Sequence, residues 1–337
     1  MVLKDVNCKN ILVVGGAGYI GSHVVLTLNE AGYHVTVFDN LSTGSASAVL
    51  EPAKLVVGEL NDLSHLEQVV RLGKFGAIFH FAASVIVPDS IIDPLAYYTN
   101  NVVNTINLLN IAHRHRIPKF IFSSSAAVYG VTQELPVPEM AKLSPITPYG
   151  RSKLVSEWVM EDLSKAAPFF SYGILRYFNV AGCDPYGRIG QSNPSATHII
   201  KLACQTAIGQ RPMFQIYGDD YPTIDGTGVR DFIHVTDLAN AHLSVLNYLE
   251  EGGESATFNC GYGHGYSVLE VLRTVAEVSG VDFPVEVVPR RTGDPPEVVA
   301  DVKQIFSKTN WQPKYNNLSL IVESALNWEK KLLDTFR

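Results

Sequence analysis

Tyr149 and Lys153 stand four residues apart in Pro148-Tyr149-Gly150-Arg151-Ser152-Lys153, within a stretch of helical pattern. On a helix that spacing puts a phenol and an ammonium on one face. A free phenol has a pKa of about 10 and is a poor base at neutral pH. A cation beside it stabilises the phenolate and lowers that value. The pair could then take a proton from a hydroxyl while hydride leaves the carbon that bears it. Taken alone, Tyr-x-x-x-Lys is common by chance, and its bland alternative is a half-exposed helix face. Upstream, Ser123-Ser124-Ser125 closes the apolar run at residues 119–122. Open α/β sheets hold their ligands at such carboxyl ends of strands, and a hydroxyl there could bridge a substrate oxygen and the tyrosine.

A second group could hold a dinucleotide. Gly15, Gly18 and Gly21 follow a short apolar run at residues 11–14 and lead into a helix-like stretch. Residues without a Cβ let backbone approach a pyrophosphate, and the helix N-terminus offers unpaired N–H groups and a positive dipole end. Glycines at this spacing are a weak signal by themselves. Asp39, closing the second apolar run, stands about 20 residues beyond them, where an acid grips the adenosine ribose hydroxyls. An acid there repels a 2′-phosphate, which favours NAD over NADP. The alternative is a tight structural turn and an ordinary loop aspartate.

These groups need a frame. Short continuous apolar runs at residues 11–14, 34–38, 55–57, 77–81, 119–122 and 171–175 alternate with helical patterns, notably 94–115 and 149–165. Such alternation predicts a parallel sheet covered on both faces. After about residue 180 the texture changes to Gly-, Pro-, Asn- and Asp-rich loops at 182–194 and 218–228, shorter elements, and a final helical stretch at 318–333. The expected fold class is α/β: a doubly wound parallel (Rossmann) sheet over residues 1–180, with a smaller C-terminal α/β substrate lobe mainly from residues 181–337 and room for the chain to cross back between lobes.

Composition bounds the rest. Hydrophobic residues make up 46% and charged residues 18% of 337, a globular balance. A net charge of -7 argues against a nucleic-acid surface, which requires a basic face. The four cysteines, Cys8, Cys183, Cys204 and Cys260, are scattered without metal spacing and read as free thiols in a reducing compartment. No leader pattern and no apolar run near the roughly 18 residues of a membrane span is present. The expectation is a cytoplasmic protein with no metal, no nucleic-acid partner and no membrane partner.

The combination resembles the extended short-chain dehydrogenase/reductases over essentially the whole chain. Several stretches are similar to the UDP-glucose (UDP-galactose) 4-epimerases: residues 122–130 (FSSSAAVYG), 148–153 (PYGRSK), 176–179 (RYFN) and, most specifically, 221–235 (YPTIDGTGVRDFIHV). The resemblance implies an isomerase that inverts C4 of a UDP-hexose through transient hydride transfer to NAD. Tyr149 is then the base, Lys153 also holds the nicotinamide ribose, and Ser125 contacts the 4-hydroxyl. The implied NAD site comprises Gly15, Gly18, Tyr19, Ile20, Gly21, Asp39, Asn40, Leu41, Ser42, Thr43, Gly44, Glu59, Leu60, Phe81, Ala82, Ala83, Val85, Asn100, Ser123, Tyr149, Lys153, Tyr177 and Phe178. For the UDP-sugar it implies Ser125, Tyr149, Asn179, Gln215, Tyr217, Arg230, Arg291, Asp294 and Val298, with both arginines on the diphosphate and Asp294 on a uridine ribose hydroxyl. Guanidinium is planar and permanently charged, which suits two-point phosphate contacts. Gln215 and Tyr217 flank the uracil, and Asn179 hydrogen-bonds the substrate.

Two departures from the family pattern stand out. Glu59-Leu60 replaces Asp-Ile after the third strand, which lengthens the arm toward the adenine amino group. Ala83-Ser84-Val85 replaces Gly-Leu-Lys after the fourth, so one cation near the pyrophosphate is missing. The family pairs as homodimers through two long helices per subunit, here residues 94–115 and 149–165. Val298 stands where some epimerases carry a bulky tyrosine that bars N-acetyl sugars, so both UDP-glucose/galactose and UDP-N-acetylhexosamines are expected to fit. His234, inside an apolar strand, reads as a structural histidine. Alternatives on the same fold are a nucleotide-sugar 4,6-dehydratase, for which acids after Ser125 are wanting (Ala126 and Ala127), and a decarboxylase. A catalytically silent NAD-binding scaffold is the alternative of another kind, opposed by intact Ser125, Tyr149 and Lys153.

Overall fold

The structure, a computed structural model, describes residues 9–291 and 293–335; Cys8 and Thr292 lie outside the described residues. In chain order the elements of the first half are β1 (Asn10–Val14), α1 (Tyr19–Glu30), β2 (His34–Asp39), β3 (Lys54–Val57), α2 (Leu63–Gly73), β4 (Ala77–His80), α3 (Val87–Ile92), α4 (Pro94–Tyr98), a π-turn (Thr99–Val103), α5 (Asn104–Arg114), β5 (Lys119–Ser123), α6 (Pro148–Ala166) and β6 (Ser171–Tyr177). There follow β7 (Asn179–Ala181), α7 (Ile199–Ala207), β8 (Phe214–Tyr217), β9 (Val229–Arg230), β10 (Phe232–His234), α8 (Val235–Glu250), β11 (Ala256–Cys260), β12 (Tyr266–Ser267), α9 (Val268–Ser279), β13 (Val285–Val288), β14 (Glu297–Val298), α10 (Lys303–Lys308) and α11 (Leu318–Thr335).

Seven strands form the main sheet in the order β11-β6-β5-β4-β1-β2-β3. The pairs from β6 through β3 all run parallel. Strand β1 lies between β2 and β4, so the chain reverses its winding direction beside β1, the switch point at which doubly wound sheets open a crevice. Register lines up the carboxyl ends: Val14 opposes Phe38 and His80, His80 opposes Phe122, and Ser123 opposes Leu175. Strands β1, β4 and β5 are apolar along nearly their whole length because helices cover both faces. Leu12, Ile78, Phe120, Leu66, Leu108 and Ile111 meet in one buried cluster.

The described chain clusters into two compact units with three segments each. The first comprises Met1–Ser124, Thr147–Leu175 and His242–Thr257; the second comprises Ser125–Ile146, Arg176–Ala241 and Phe258–Arg337. The second unit carries three small sheets: β10-β7, β12-β9-β14 and β13-β8. Its α9 opens on a capping box, in which Ser267 Oγ accepts from Glu270 N and the Glu270 carboxylate from Ser267 N. Helices α7, α9 and α11 pack on one another, with the Lys201 ammonium buried against Glu329. No helix among the described residues is long and apolar enough to cross a membrane.

The sequence pattern over residues 94–115 suggests one regular helix. The structure instead inserts the π-turn between α4 and α5, one extra residue per turn that re-aims Asn100 and Asn101. The tightest backbone approach is at the glycine turn. A Cβ on Gly21 would stand 2.2 Å from Gly15 O, and one on Gly15, whose φ is +79°, would stand 2.4 Å from Ala82 N. Neither neighbour is a flexible side chain, so Gly21→Ala must push α1 off the turn. We expect that substitution to cost about 1–3 kcal/mol of stability in urea unfolding; an unchanged midpoint would refute the close approach.

Candidate active site

The switch-point crevice is built from backbone. Val14 C=O accepts from both Phe81 N (2.8 Å) and Ala82 N (3.2 Å), which ties the loop after β4 to the end of β1. Gly15 N donates to Phe38 O at 2.9 Å. Helix α1 starts at Gly18 with no side chain capping it, so its first N–H groups remain available to an anion. Asp39 is buried, and each carboxylate oxygen holds one backbone donor: Ala17 N at 2.9 Å and Leu41 N at 2.8 Å. Each oxygen keeps a lone pair for a ribose hydroxyl. The segment from Asn40 to Gly44 folds back on the turn. Ser42 N and Ser42 Oγ both donate to Asn40 Oδ1, Ser45 N donates to Ala17 O, and a Cβ on Gly44 would collide with Ala17. Glu59 reaches Asn40, whose Nδ2 donates to both its carboxylate oxygens at 3.3 and 3.2 Å, while Leu60 is buried. A Cβ-free cradle at an uncapped helix start, beside a buried acid, fits the pyrophosphate and ribose of NAD. Tyr19 and Ile20 form the first turn of α1; Ala82 and Ala83 are half-buried and Val85 exposed.

Helix α6, which carries Tyr149 and Lys153, lies in the same unit. Thr147 caps α6 by accepting from Gly150 N at 3.2 Å, and Pro148 occupies the first position, where its missing N–H costs nothing. Tyr149, Lys153 and Glu157 follow at successive turns of one buried face, with exposures of 8%, 3% and 0%. Lys153 Nζ donates to Ser123 O at 2.8 Å, and the ammonium lies 4.9 Å from the centre of the Phe122 ring. Burial pushes the lysine pKa down to about 7, opposed by the Glu157 carboxylate. Glu157 accepts from Ser124 Oγ in a short hydrogen bond. His80, at the end of β4, is fully buried, and its Nε2 meets Thr105 Oγ1 at 2.8 Å. Burial and then the Lys153 charge bring its pKa to about 3, which leaves the imidazole neutral. Ser125 caps a short 3-10 turn by accepting from Ala127 N at 3.2 Å.

The cations and the small side chain expected at a UDP-sugar meet in the second unit. Arg230 Nη2 pairs with Asp294 Oδ1 at 2.5 Å, and Arg230 Nη1 donates to Val229 O at 2.8 Å. Val298 lies beside Arg230 in the parallel β14–β9 register. Arg291 stacks on the Tyr217 ring at 3.7 Å, while Gln215 donates to Glu286 at 3.0 Å. Asn179 opens β7, half-buried and paired with Phe232, and Tyr177 and Phe178 immediately precede it. The neighbouring acids of the 221–235 run are anchors. Asp231 is fully buried and accepts from Tyr262 N, Gly263 N and Ala300 N. Asp225 accepts from Thr227 and from Ser267 Oγ, fastening the loop before β9 to the start of α9. His234 is buried; its Nδ1 accepts from Thr236 N at 3.1 Å and its ring stacks on Tyr315 at 4.5 Å. Among the described residues no three of His, Cys, Asp or Glu gather as a metal site.

Asn101 is a node that sequence reasoning passes over in favour of Asn100. Its Oδ1 accepts from Ser84 N at 2.8 Å, and its Nδ2 donates to Ser84 O and to Ser152 Oγ, both at 3.0 Å. Its own C=O accepts from Thr105 Oγ1 and Ser156 Oγ. It thereby ties the loop after β4 to the helix of Tyr149 and Lys153. Asn100 meets Ser84 Oγ instead, at 2.9 Å. The signal was present as an Asn-Asn pair in a helical pattern that carries further asparagines at 104, 107 and 110, but nothing local says which of them is buried.

A doubly wound sheet, a glycine turn with an acid on β2, and a buried Tyr-x-x-x-Lys face define a dinucleotide-using enzyme. The chain belongs to the NAD dependent epimerase/dehydratase family, whose model matches residues 11–261. It is 49% identical over 322 residues to a UDP-glucose 4-epimerase of Azospirillum brasilense, covering 96% of this chain and 92% of that one. Its fold matches the UDP-Glc/GlcNAc 4-epimerase of Campylobacter jejuni with a TM-score of 0.85 at 50% identity, covering 96% and 99% of the two chains. It also matches the UDP-glucose 4-epimerase of Brucella ovis in complex with NAD, with a TM-score of 0.91 at 41% identity and coverage of 95% and 98%.

Replacing Asn101 by alanine takes the acceptor from the half-buried Ser84 N–H and one donor from Ser152 Oγ, which keeps its own bond to Tyr149 O at 2.7 Å. We expect Asn101→Ala to lose about 1–3 kcal/mol in thermal or urea unfolding. Stability within a few tenths of the parent would mean that the node is not formed.

Proposed function

We propose that this protein is an NAD-dependent 4-epimerase of UDP-hexoses, acting on UDP-glucose and UDP-galactose and on their N-acetyl counterparts. The observation that carries the reading is the buried face of α6, with the Lys153 ammonium fixed on Ser123 O one turn from Tyr149. Tyr149 takes the 4-hydroxyl proton, Lys153 balances the phenolate charge, and Ser125 orients the same hydroxyl. NAD, when bound, supplies a hydride acceptor and donor for C4. Its adenosine ribose falls to Asp39 and its pyrophosphate to the turn at Gly15, Gly18 and Gly21, with Lys153 on the nicotinamide ribose. With Val85 in place of a lysine, backbone N–H groups at α1 carry more of that charge.

Arg230 and Arg291 hold the diphosphate, so the 4-keto sugar can turn about its link to the phosphate and present its other face. Tyr149 then returns the proton. Asp294 takes a uridine ribose hydroxyl, Tyr217 and Gln215 flank the base, and Asn179 hydrogen-bonds the sugar. Val298 leaves the room that an N-acetyl group needs, and the likeness to an epimerase of both UDP-Glc and UDP-GlcNAc supports this. Cys183, Cys204 and Cys260 are buried free thiols, which suits a cytoplasmic enzyme.

We further read the enzyme as a homodimer. Ile92, Leu95 and Val103 around the α4 segment, and Trp158 on α6, leave large apolar side chains exposed, Leu95 by 76% and Trp158 by 50%. Such a patch favours burial against a second copy. Light scattering should give a dimer mass for the parent and a monomer mass for Leu95→Glu; a monomeric parent would refute it.

Purified protein should convert both UDP-galactose and UDP-N-acetylgalactosamine to their gluco epimers, followed by proton NMR without added reductant. Val298→Tyr should lower N-acetyl turnover by about 10–100-fold while sparing UDP-galactose, the scale expected when a side chain blocks one substituent. Conversion of neither sugar with NAD supplied would overturn the function. Unchanged N-acetyl turnover in Val298→Tyr would overturn the pocket assignment alone.

A further inference from the structure

Glu157 has no part in the chemistry above, yet it is a carboxylate with no exposed surface, two turns from the base. Such a group is costly to bury unless it is hydrogen-bonded and set against a positive charge. Both conditions are met. Its Oε1 accepts from Ser124 Oγ, itself fully buried. One turn earlier, Lys153 Nζ donates to Ser123 O at 2.8 Å. Two successive turns of α6 therefore grip two successive residues of the strand end, and Ser125 is the next residue in the chain.

Resting on the epimerase reading, we propose that Glu157 is a positioning residue for the reaction. It braces the Ser123–Ser124 strand end through the Ser124 hydroxyl and favours the cationic form of the neighbouring Lys153. Other groups around that lysine cannot replace it. Tyr149 lies on the same helix and is the group to be activated. His80, facing from β4, is neutral and lies near the lysine without offsetting its charge. Ser123 from β5 offers only a carbonyl dipole. Burial alone drives the lysine toward its neutral form, and the Glu157 charge is the opposing influence.

The proton inventory gives the sign. The working state has a phenolate at Tyr149 and an ammonium at Lys153, so activity falls on the alkaline side as the ammonium proton is lost. Removing the Glu157 charge makes that proton easier to lose, and the alkaline limb moves to lower pH. It also shifts the pair toward neutral phenol and neutral amine, which lowers kcat throughout.

The test uses the full-length enzyme with bound NAD, with rates normalised to NAD content. Glu157→Gln keeps an acceptor for Ser124 but no charge. It should move the alkaline limb of kcat down by about one pH unit and lower kcat about tenfold near neutrality, with KM for UDP-galactose within about twofold. Ser124→Ala keeps the charge and removes the brace; it should lower kcat several-fold, roughly 3–10, without moving the limb. A residue that served only folding would reduce the yield of NAD-loaded enzyme and leave the limb in place. A folded Glu157→Gln with the parent's pH profile overturns the charge role. Should that variant not fold, an unchanged kcat in Ser124→Ala overturns the brace. The parent measured alongside keeps the two readings apart: an inactive parent sinks the epimerase, whereas an active parent with unshifted variants sinks only this inference.

Discussion

An ammonium buried beneath the carboxyl edge of a parallel sheet is the constraint around which this active site is arranged. Lys153 has only 3% of its surface exposed, and moving such a charge out of water is expensive unless acceptors surround it. The fold supplies a strand-end carbonyl, an aromatic face at Phe122 and an anion one helical turn away. The residual cost is visible in a pKa of about 7, against about 10.4 for an unfolded lysine. Between those values the unfolded chain holds a proton that the native one has released. This group therefore makes the protein more stable as pH rises through that window, and it opposes folding while charged below it. Stability is given up here for a cation one helical turn from a phenol.

The nucleotide end of the crevice follows a different economy. It uses almost no side-chain charge. Asp39 is the buried acid, and everything else is backbone brought close by residues that lack a Cβ or point it elsewhere. Val14 C=O serves two donors from the loop after β4, and Gly15 N returns to the end of β2. The three central strands are thus cross-tied at the point where the chain reverses direction. At this turn α1 leaves its first N–H groups without a side-chain cap.

Much of this was legible from residue types. The alternation of apolar runs and helical stretches gave the parallel sheet, and the glycine turn, Asp39 and Lys153 lie at the carboxyl ends of β1, β2 and β5. What escaped was the buried polar wiring between distant segments. Asn101 meets Ser84 across 17 residues of chain and Ser152 across 51, Glu157 meets Ser124 across 33, and Asp231 collects N–H groups from residues 262, 263 and 300. A polar residue at such a position has the same local signature as one on a solvated surface. The π-turn was hidden for a related reason: the residue types at 99–103 carry no local signal that separates an i→i+5 turn from an i→i+4 one. The 221–235 run reads as a substrate motif, whereas the structure shows that Asp225, Asp231 and His234 spend their polar atoms on internal partners.

That last observation explains how an acidic protein holds Arg230 in a fixed place. With a net charge of -7, long-range attraction of an anion is unfavourable, so the arginines must act at short range. Asp231 draws three N–H groups to itself, and Asp225 fastens the preceding loop to the cap of α9. Arg230 sits between those two anchored segments, with its guanidinium already bonded to Val229 O and Asp294. Its side chain is only 12% exposed, so little rotamer freedom remains to be lost when a phosphate arrives. Arg291 is restrained in another way, stacked on Tyr217, which fixes the plane of its fork but leaves its N–H edges open. One arginine is thus preordered by an ion pair and the other by a ring.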